Sequence, residues 1–240
     1  MSFSHPALWI VSGASQSGKS NWCCRFVKHS STLFQHTFDK IIWCYYGNEE
    51  AVPRSRLSEF DVIFHKGLPS DFSKFPTNSL IIIDDCQQEA VNSQAVLNLF
   101  TRGSHHDKQT VCLVVQNLFA GGKNQRSLAL NTHVYVLFRA IRDKAQASTF
   151  FRQISPAYWR DLTHLYEQST QKQYSYFVVD CHPATANPCL RFRTHIFPDD
   201  KAQIVYCLPA DATAGEHGWK EERVQGTGPL AKTLVLTARS

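Results

Sequence analysis

The sequence predicts an α/β domain built on a mostly parallel central sheet. Three observations carry that prediction. Short apolar runs rich in Val, Ile and Leu alternate with stretches of helical periodicity, the pattern of β/α units. A segment with glycine at both ends of a short loop, 13–20, stands between the first apolar run and the first helical one. The run Leu80–Ile83 ends in two adjacent carboxylates, Asp84 and Asp85.

Taken in order, Leu8–Val11, Ile41–Tyr46, Val62–His65, Leu80–Ile83, Val111–Val115 and Val134–Phe138 read as strands. The central ones lack polar alternation, as strands covered on both faces do. Helices are expected at Lys19–Lys28, Gln87–Thr101 and Arg142–Ile154. Within the second, Asn92, Ala95, Val96 and Phe100 share one face at i, i+3, i+4 spacing. A further helix is expected from Pro156 to Gln168, since Pro suits a first helical turn. After Gln171 the texture changes. Tyr174–Asp180, Leu190–Ile196 and Gln203–Leu208 read as strands, separated by turns at Pro183, Pro188 and Pro198. The expected organisation is a core over 1–170, a β-rich extension of the same domain over 171–209, and a flexible tail over 210–240. Lys232–Thr237 is one last candidate strand in that tail.

A chain of 240 residues fits one large α/β domain or two small ones. With 43% hydrophobic and 19% charged residues, global disorder is excluded. No apolar run approaches the ~18–20 residues of a membrane span, and residues 1–6 lack the basic-then-apolar build of a secretory signal. The eight cysteines include no CxxC pair, so reduced thiols in a cytosolic or nuclear compartment are expected. The net charge of +5 is concentrated: residues 122–160 hold seven basic side chains against one acid, and the rest of the chain 18 against 19. Such a stripe is the footprint of a polyanion partner or of a solvated helix face.

Gly13-Ala14-Ser15-Gln16-Ser17-Gly18-Lys19-Ser20 fits GxxxxGK[ST] throughout, after an apolar strand and ahead of a helix. Backbone N–H groups of such a loop wrap phosphates, and the positive end of the helix points at the same anion. Lys19 is placed to reach the β- and γ-phosphates, and Ser20 to ligate Mg²⁺. The loop predicts a nucleoside triphosphate site, with ATP and Mg²⁺ as its ligands. Asp84 stands where a Walker B aspartate holds the Mg²⁺ shell. Asp85 is the candidate to polarise an attacking water, its alternative role being a cap on the following helix. The stretch between Lys19 and Asp84 leaves room for one or two additional strands. That suits the P-loop NTPases with an additional strand and a catalytic acid (ASCE, RecA-like). Gln116, at the tip of the next strand, is the candidate to orient water.

The combination of GASQSGKS, LIIIDDCQ, LFTRGSHHDKQTVCLVVQNLF and LNTHVYVLFRAIRD resembles the viral genome-packaging ATPases of the FtsK–HerA superfamily. The likeness is to the poxvirus-like branch, as in Polinton- and adintovirus-type elements, and it spans about residues 5–208. The resemblance implies an ATP-hydrolysing motor that moves double-stranded viral DNA into a preformed capsid. It implies a ring homo-oligomer, a capsid or portal partner, and a place beside assembling virions in the nucleus or cytoplasm of an infected cell. Arg102 stands where this superfamily carries a trans-acting arginine finger, with Arg126 as second choice. Lys123, Arg126, Arg139 and Arg142 are candidate contacts to the DNA backbone. The rival functions are another DNA-remodelling P-loop ATPase, such as a helicase or transposition motor, and a nucleoside or nucleotide kinase. The kinase reading leaves Asp85 and Gln116 without a role.

Overall fold

The computed structural model describes residues 2–119, 121–200 and 202–208, and two further strand segments, 219–225 and 232–238. The first half of the chain forms β1 (Leu8–Ser12), α1 (Lys19–Lys28), α2 (Ser30–Phe34), β2 (Lys40–Tyr45), β3 (Val62–Lys66) and β4 (Ser79–Asp84). Then come α3 (Gln87–Ala90), α4 (Gln94–Asn98), α5 (Ser104–His106), β5 (Thr110–Val115), α6 (Gln125–Asn131) and β6 (Val134–Phe138). Two longer helices, α7 (Lys144–Ile154) and α8 (Trp159–Ser169), precede β7 (Tyr176–Asp180), β8 (Phe192–Thr194) and β9 (Gln203–Cys207). The last described elements are β10 (Trp219–Gln225) and β11 (Lys232–Ala238).

All eleven strands join one sheet in the order β10-β11-β9-β8-β7-β6-β1-β5-β4-β2-β3. The six from β6 to β3 run parallel, and the chain then doubles back through antiparallel β7, β8 and β9. β5 lies between β1 and β4, so the phosphate-loop strand and the carboxylate strand are one strand apart. Every residue of β1, β5 and β6 is buried, which is why these runs carry no polar alternation. The edge strand β3 is only partly covered, with Ile63 exposed.

Successive strand residues point to opposite faces, and the core divides accordingly. On one face Trp9, Val11, Trp43 and Ile82 pack under α1 and α2 through Trp22, Phe26 and Phe34. On the other, Ile10, Ile81, Ile83 and Leu113 pack with α3, α4, α7 and α8 through Ala90, Val96, Phe151 and Leu165. Burying both faces of a parallel sheet in this way gives three layers.

Three local expectations change. The helix expected over Gln87–Thr101 breaks at 91–93, because the Ser93 hydroxyl accepts from the Val96 N–H (3.3 Å) and starts α4 afresh. After α4 the backbone widens into a π turn over Leu99–Gly103. The strand expected at Leu190–Ile196 shortens to β8, behind a single tight turn at Pro188–Leu190. Cys189 in that turn and Cys207 at the end of β9 form a disulfide, against the expectation of reduced thiols; Cys23, Cys24, Cys44, Cys86 and Cys112 are free and buried. Within the stretch expected as a flexible tail, 210–240, the described residues are the strands β10 and β11, and the remainder lies outside the described residues.

Two arginines tie down the C-terminal strands through three ion pairs. Arg193 of β8 donates to Asp180 of β7 at 2.6 Å, with the arginine fully buried. Arg25 near the end of α1 donates to Asp199 (2.5 Å) and Asp200 (2.8 Å) in the loop ahead of β9.

Candidate functional site

The carboxyl ends of β1, β4 and β5 meet around the loop 13–18. The loop leaves β1 with the Gly13 N–H donating to the Val115 carbonyl (3.2 Å) and closes a tight turn through Ser17 N–H to the Ala14 carbonyl (3.2 Å). Gly18 ends it at φ 101°, a left-handed conformation that permits the abrupt entry into α1. The ten-residue helix that follows directs the positive end of its dipole into the loop. Lys19 donates to the carbonyls of Gly13 (2.7 Å) and Ala14 (2.8 Å), so its ammonium is held over the loop. Burial lowers the Lys19 pKa, and the charge of Asp84 is the main effect opposing this.

Asp84 is the last residue of β4. Burial pushes its carboxyl above the usual carboxylate range and Asp85 adds to this, while the hydrogen bond from Ser20 and the charge of Lys19 pull it back. Asp85 turns the chain at φ 54° and is exposed. The helix α3 begins beyond it, at Gln87, with Cys86 at the N-cap position and no side-chain cap. The capping role open to Asp85 in the sequence is therefore not taken up. A carboxylate beside a hydroxyl is an oxygen donor set suited to a hard cation such as Mg²⁺.

One cleft of about 550 Å³ is lined by Gln16, Lys19, Ser20, Asp84, Asp85 and Gln116 together. Gln116 is exposed at the tip of β5. Its N–H donates to Gln87 Oε1 (2.5 Å), and Gln87 Nε2 reaches the Asn117 carbonyl (3.5 Å). Gln87 thus ties the segment after the carboxylates to the tip of the neighbouring strand. Sequence reasoning missed it; its one signal is a polar residue in the first turn after the acidic pair.

The basic candidates separate in space. Arg142 lines a second cavity, of about 460 Å³, on the other flank of the loop, with Gly13, Ser15 and Asn117. Arg139 donates to the Gln171 carbonyl (3.4 Å). Lys123 and Arg126 are exposed, in the loop before α6 and in its first turn. That loop is pinned to the break between α3 and α4. Lys123 N–H donates to Asn92 Oδ1 (3.2 Å), Asn124 N–H to the Val91 carbonyl (3.0 Å), and Asn124 Nδ2 to the Ser93 carbonyl (3.1 Å). Arg102 is not brought to the cleft. It lines a different cavity with Asp71, Phe72 and Gln109, residues that lead into β4 and β5 from their amino ends. A strand's length separates that cavity from Asp84. Among the described residues, no helix is long and apolar enough to cross a membrane.

No protein-family model matches the chain, and no curated protein matches it. Among solved structures it is similar to the genome packaging NTPase B204 from Sulfolobus turreted icosahedral virus 2. The complex of that protein with AMPPCP gives a TM-score of 0.50 at 14% identity, over 73% of this chain and 92% of that one. The complex with ATP-gammaS gives 0.49 at 16%, over 75% and 94%. Thermomonospora curvata EccC (ATPases 2 and 3) is a more distant likeness, at TM-score 0.37 and 11% identity over 57% of this chain and 31% of that one. At such identities the likeness to the AMPPCP complex shows a shared fold, that of a P-loop NTPase with a mostly parallel sheet and a β-rich C-terminal extension.

Proposed function

We propose that this chain is an ATPase whose Mg²⁺-dependent hydrolysis drives double-stranded viral DNA into a preformed capsid. The observation that carries the reading is the convergence of Lys19, Ser20, Asp84, Asp85 and Gln116 on one cleft. The fold it shares with a genome packaging NTPase supports the same reading, as does the resemblance to the FtsK–HerA packaging ATPases and their poxvirus-like branch.

In this mechanism the loop N–H groups and Lys19 bind the phosphates of ATP and stabilise charge on the transferred group. Ser20 and Asp84 would hold Mg²⁺, which would supply further neutralisation of phosphate charge. Asp85, on the exposed turn beyond β4, polarises the attacking water, and Gln116 orients it. Arg102 cannot reach its own cleft from the amino ends of β4 and β5, so its role as an arginine finger requires a neighbouring subunit in a ring. Lys123, Arg126, Arg139 and Arg142 are the candidates to follow the DNA backbone, a contact that reads no sequence. A capsid or portal component and a place beside assembling virions in the infected cell belong to the same proposal.

The test is phosphate release from Mg-ATP with and without duplex DNA, together with the mass of the assembled particle. Free phosphate without any acceptor, faster with duplex, from a particle several times the 27.3 kDa chain is the expected result. Obligatory transfer to a nucleoside would overturn hydrolysis. Hydrolysis indifferent to duplex, in wild type and in a Lys123→Ala/Arg126→Ala variant alike, would overturn the DNA motor.

A further inference from the structure

The Tyr174 side chain is 55% exposed, yet its ring presses on the phosphate loop. A Cβ placed on Gly18 would stand 2.8 Å from Tyr174 Cδ1 and 3.4 Å from its Cγ. The absence of a side chain at 18 therefore serves the ring as well as the turn. Tyr174 itself holds φ 65°, a left-handed conformation that bulky residues adopt rarely and at a cost. The turn around it is closed by Ser175, whose N–H (3.2 Å) and hydroxyl (2.5 Å) both donate to the Lys172 carbonyl. A largely exposed aromatic is thus held in a left-handed turn against the start of α1.

Its position in the sheet suggests its use. Tyr174 lines the same cleft as Gln16, Ser20, Asp84 and Gln116. On one side of β1 stand β5 and β4, carrying Gln116, Asp84 and Asp85; on the other stand β6 and β7, with Tyr174 on the approach to β7. A triphosphate with its γ end toward the carboxylates directs its nucleoside end the other way, over Gly18. Tyr46, also exposed in the cleft, follows β2, which lies beyond β4 on the γ side.

We propose that the Tyr174 ring is the stacking platform for the nucleobase. The inference rests on the nucleotide reading above and adds to it the residue that grips the base. Stacking uses the π face that every base has, so the platform lends affinity without choosing adenine over guanine.

The test is calorimetric titration of the full chain with Mg-ATP and, separately, with Mg-tripolyphosphate, which has no base. Tyr174→Ala is expected to weaken Mg-ATP about 5- to 150-fold while leaving tripolyphosphate binding unchanged. Tyr174→Phe, which keeps the ring, is expected to bind ATP as wild type does. Wild-type affinity for ATP in Tyr174→Ala would overturn the platform. So would an equal loss of both ligands, since the ring would then only prop the loop. A wild-type chain that binds neither ligand would instead overturn the nucleotide reading, and the platform with it.

Discussion

Replacing Arg193 with methionine isolates the buried ion pair that joins β8 to β7. Arg193 is 0% exposed and Asp180 2%, with 2.6 Å between them. Burial pulls the arginine down to about 10, against the opposing charge of Asp180, so it stays protonated at neutral pH. Methionine roughly keeps the length of the side chain and removes the charge. Asp180 is then left buried with two donors, His182 N–H (3.0 Å) and the Thr185 hydroxyl (3.1 Å). Removing one partner of a buried pair costs about 3–5 kcal/mol, and the two surviving donors place this case near 3–4. The guanidinium also sits 3.9 Å over the Phe3 ring, and that contact is lost as well. At roughly 2–4 °C per kcal/mol for a chain of this size, Tm should fall by about 6–16 °C. Arg193 Nε and Nη1 have no partner among the described residues, so the pair itself is imperfectly compensated. The double variant Arg193→Met/Asp180→Asn should therefore recover at least half of the loss. Thermal unfolding followed by circular dichroism measures both. A single variant melting within about 2 °C of wild type, or a double variant less stable than the single, would refute the reasoning.

Three further predictions follow from the site and its supports. Asp85→Asn should leave ATP binding intact and lower steady-state phosphate release about 10²- to 10⁴-fold; retained turnover would remove Asp85 from the mechanism. Gly122→Ala should lower the urea midpoint by the equivalent of about 1–3 kcal/mol, because Gly122 holds φ 146° and a Cβ there would lie 2.5 Å from Val91 Cγ2; an unchanged midpoint would contradict the packing. His5 stacks on His36 (4.5 Å), and burial first, then the charges of His36 and Lys108, lower its pKa from 6.5 to about 4. Since the unfolded chain takes that proton first, stability is complete above about pH 6.5 and falls as pH drops toward 4. Urea unfolding of His5→Gln at pH 7 and pH 5 should show a flatter dependence than wild type; parallel losses would exclude His5.

Strands such as Ile81–Ile83 and Val111–Val115 are legible in the sequence because an uninterrupted apolar run needs cover on both faces, and the sheet supplies it. The loop 13–20 and the acids at 84–85 are legible because their pattern is local: spacing alone brings the glycines, Lys19 and Ser20 to one loop at the start of α1. What was illegible depends on contacts distant in the chain. The break at 91–93 combines a local cap at Ser93 with the loop 121–124 docking on Val91 and Asn92, a partner no periodicity reveals. Arg193 reads as one more basic residue in a basic chain until β7 places Asp180 beside it. Tyr174 reads as the start of a strand, and only the sheet order brings it onto Gly18. Arg102 is named through the resemblance as a trans-acting finger, and the sheet puts a strand's length between it and the acids of its own chain.

The brevity of α3 has a mechanical consequence. It is four residues long, a single turn, too short to bend within itself. Gln87 at its first position holds the backbone of Gln116 and Asn117, and the residues just past its end hold the backbone of Lys123 and Asn124. Under the proposed function, a shift of the strand tip at Gln116 would be passed through α3 to the glycine loop that carries Lys123. The link from the cleft to that loop consists of one helical turn and two hydrogen-bonded joints.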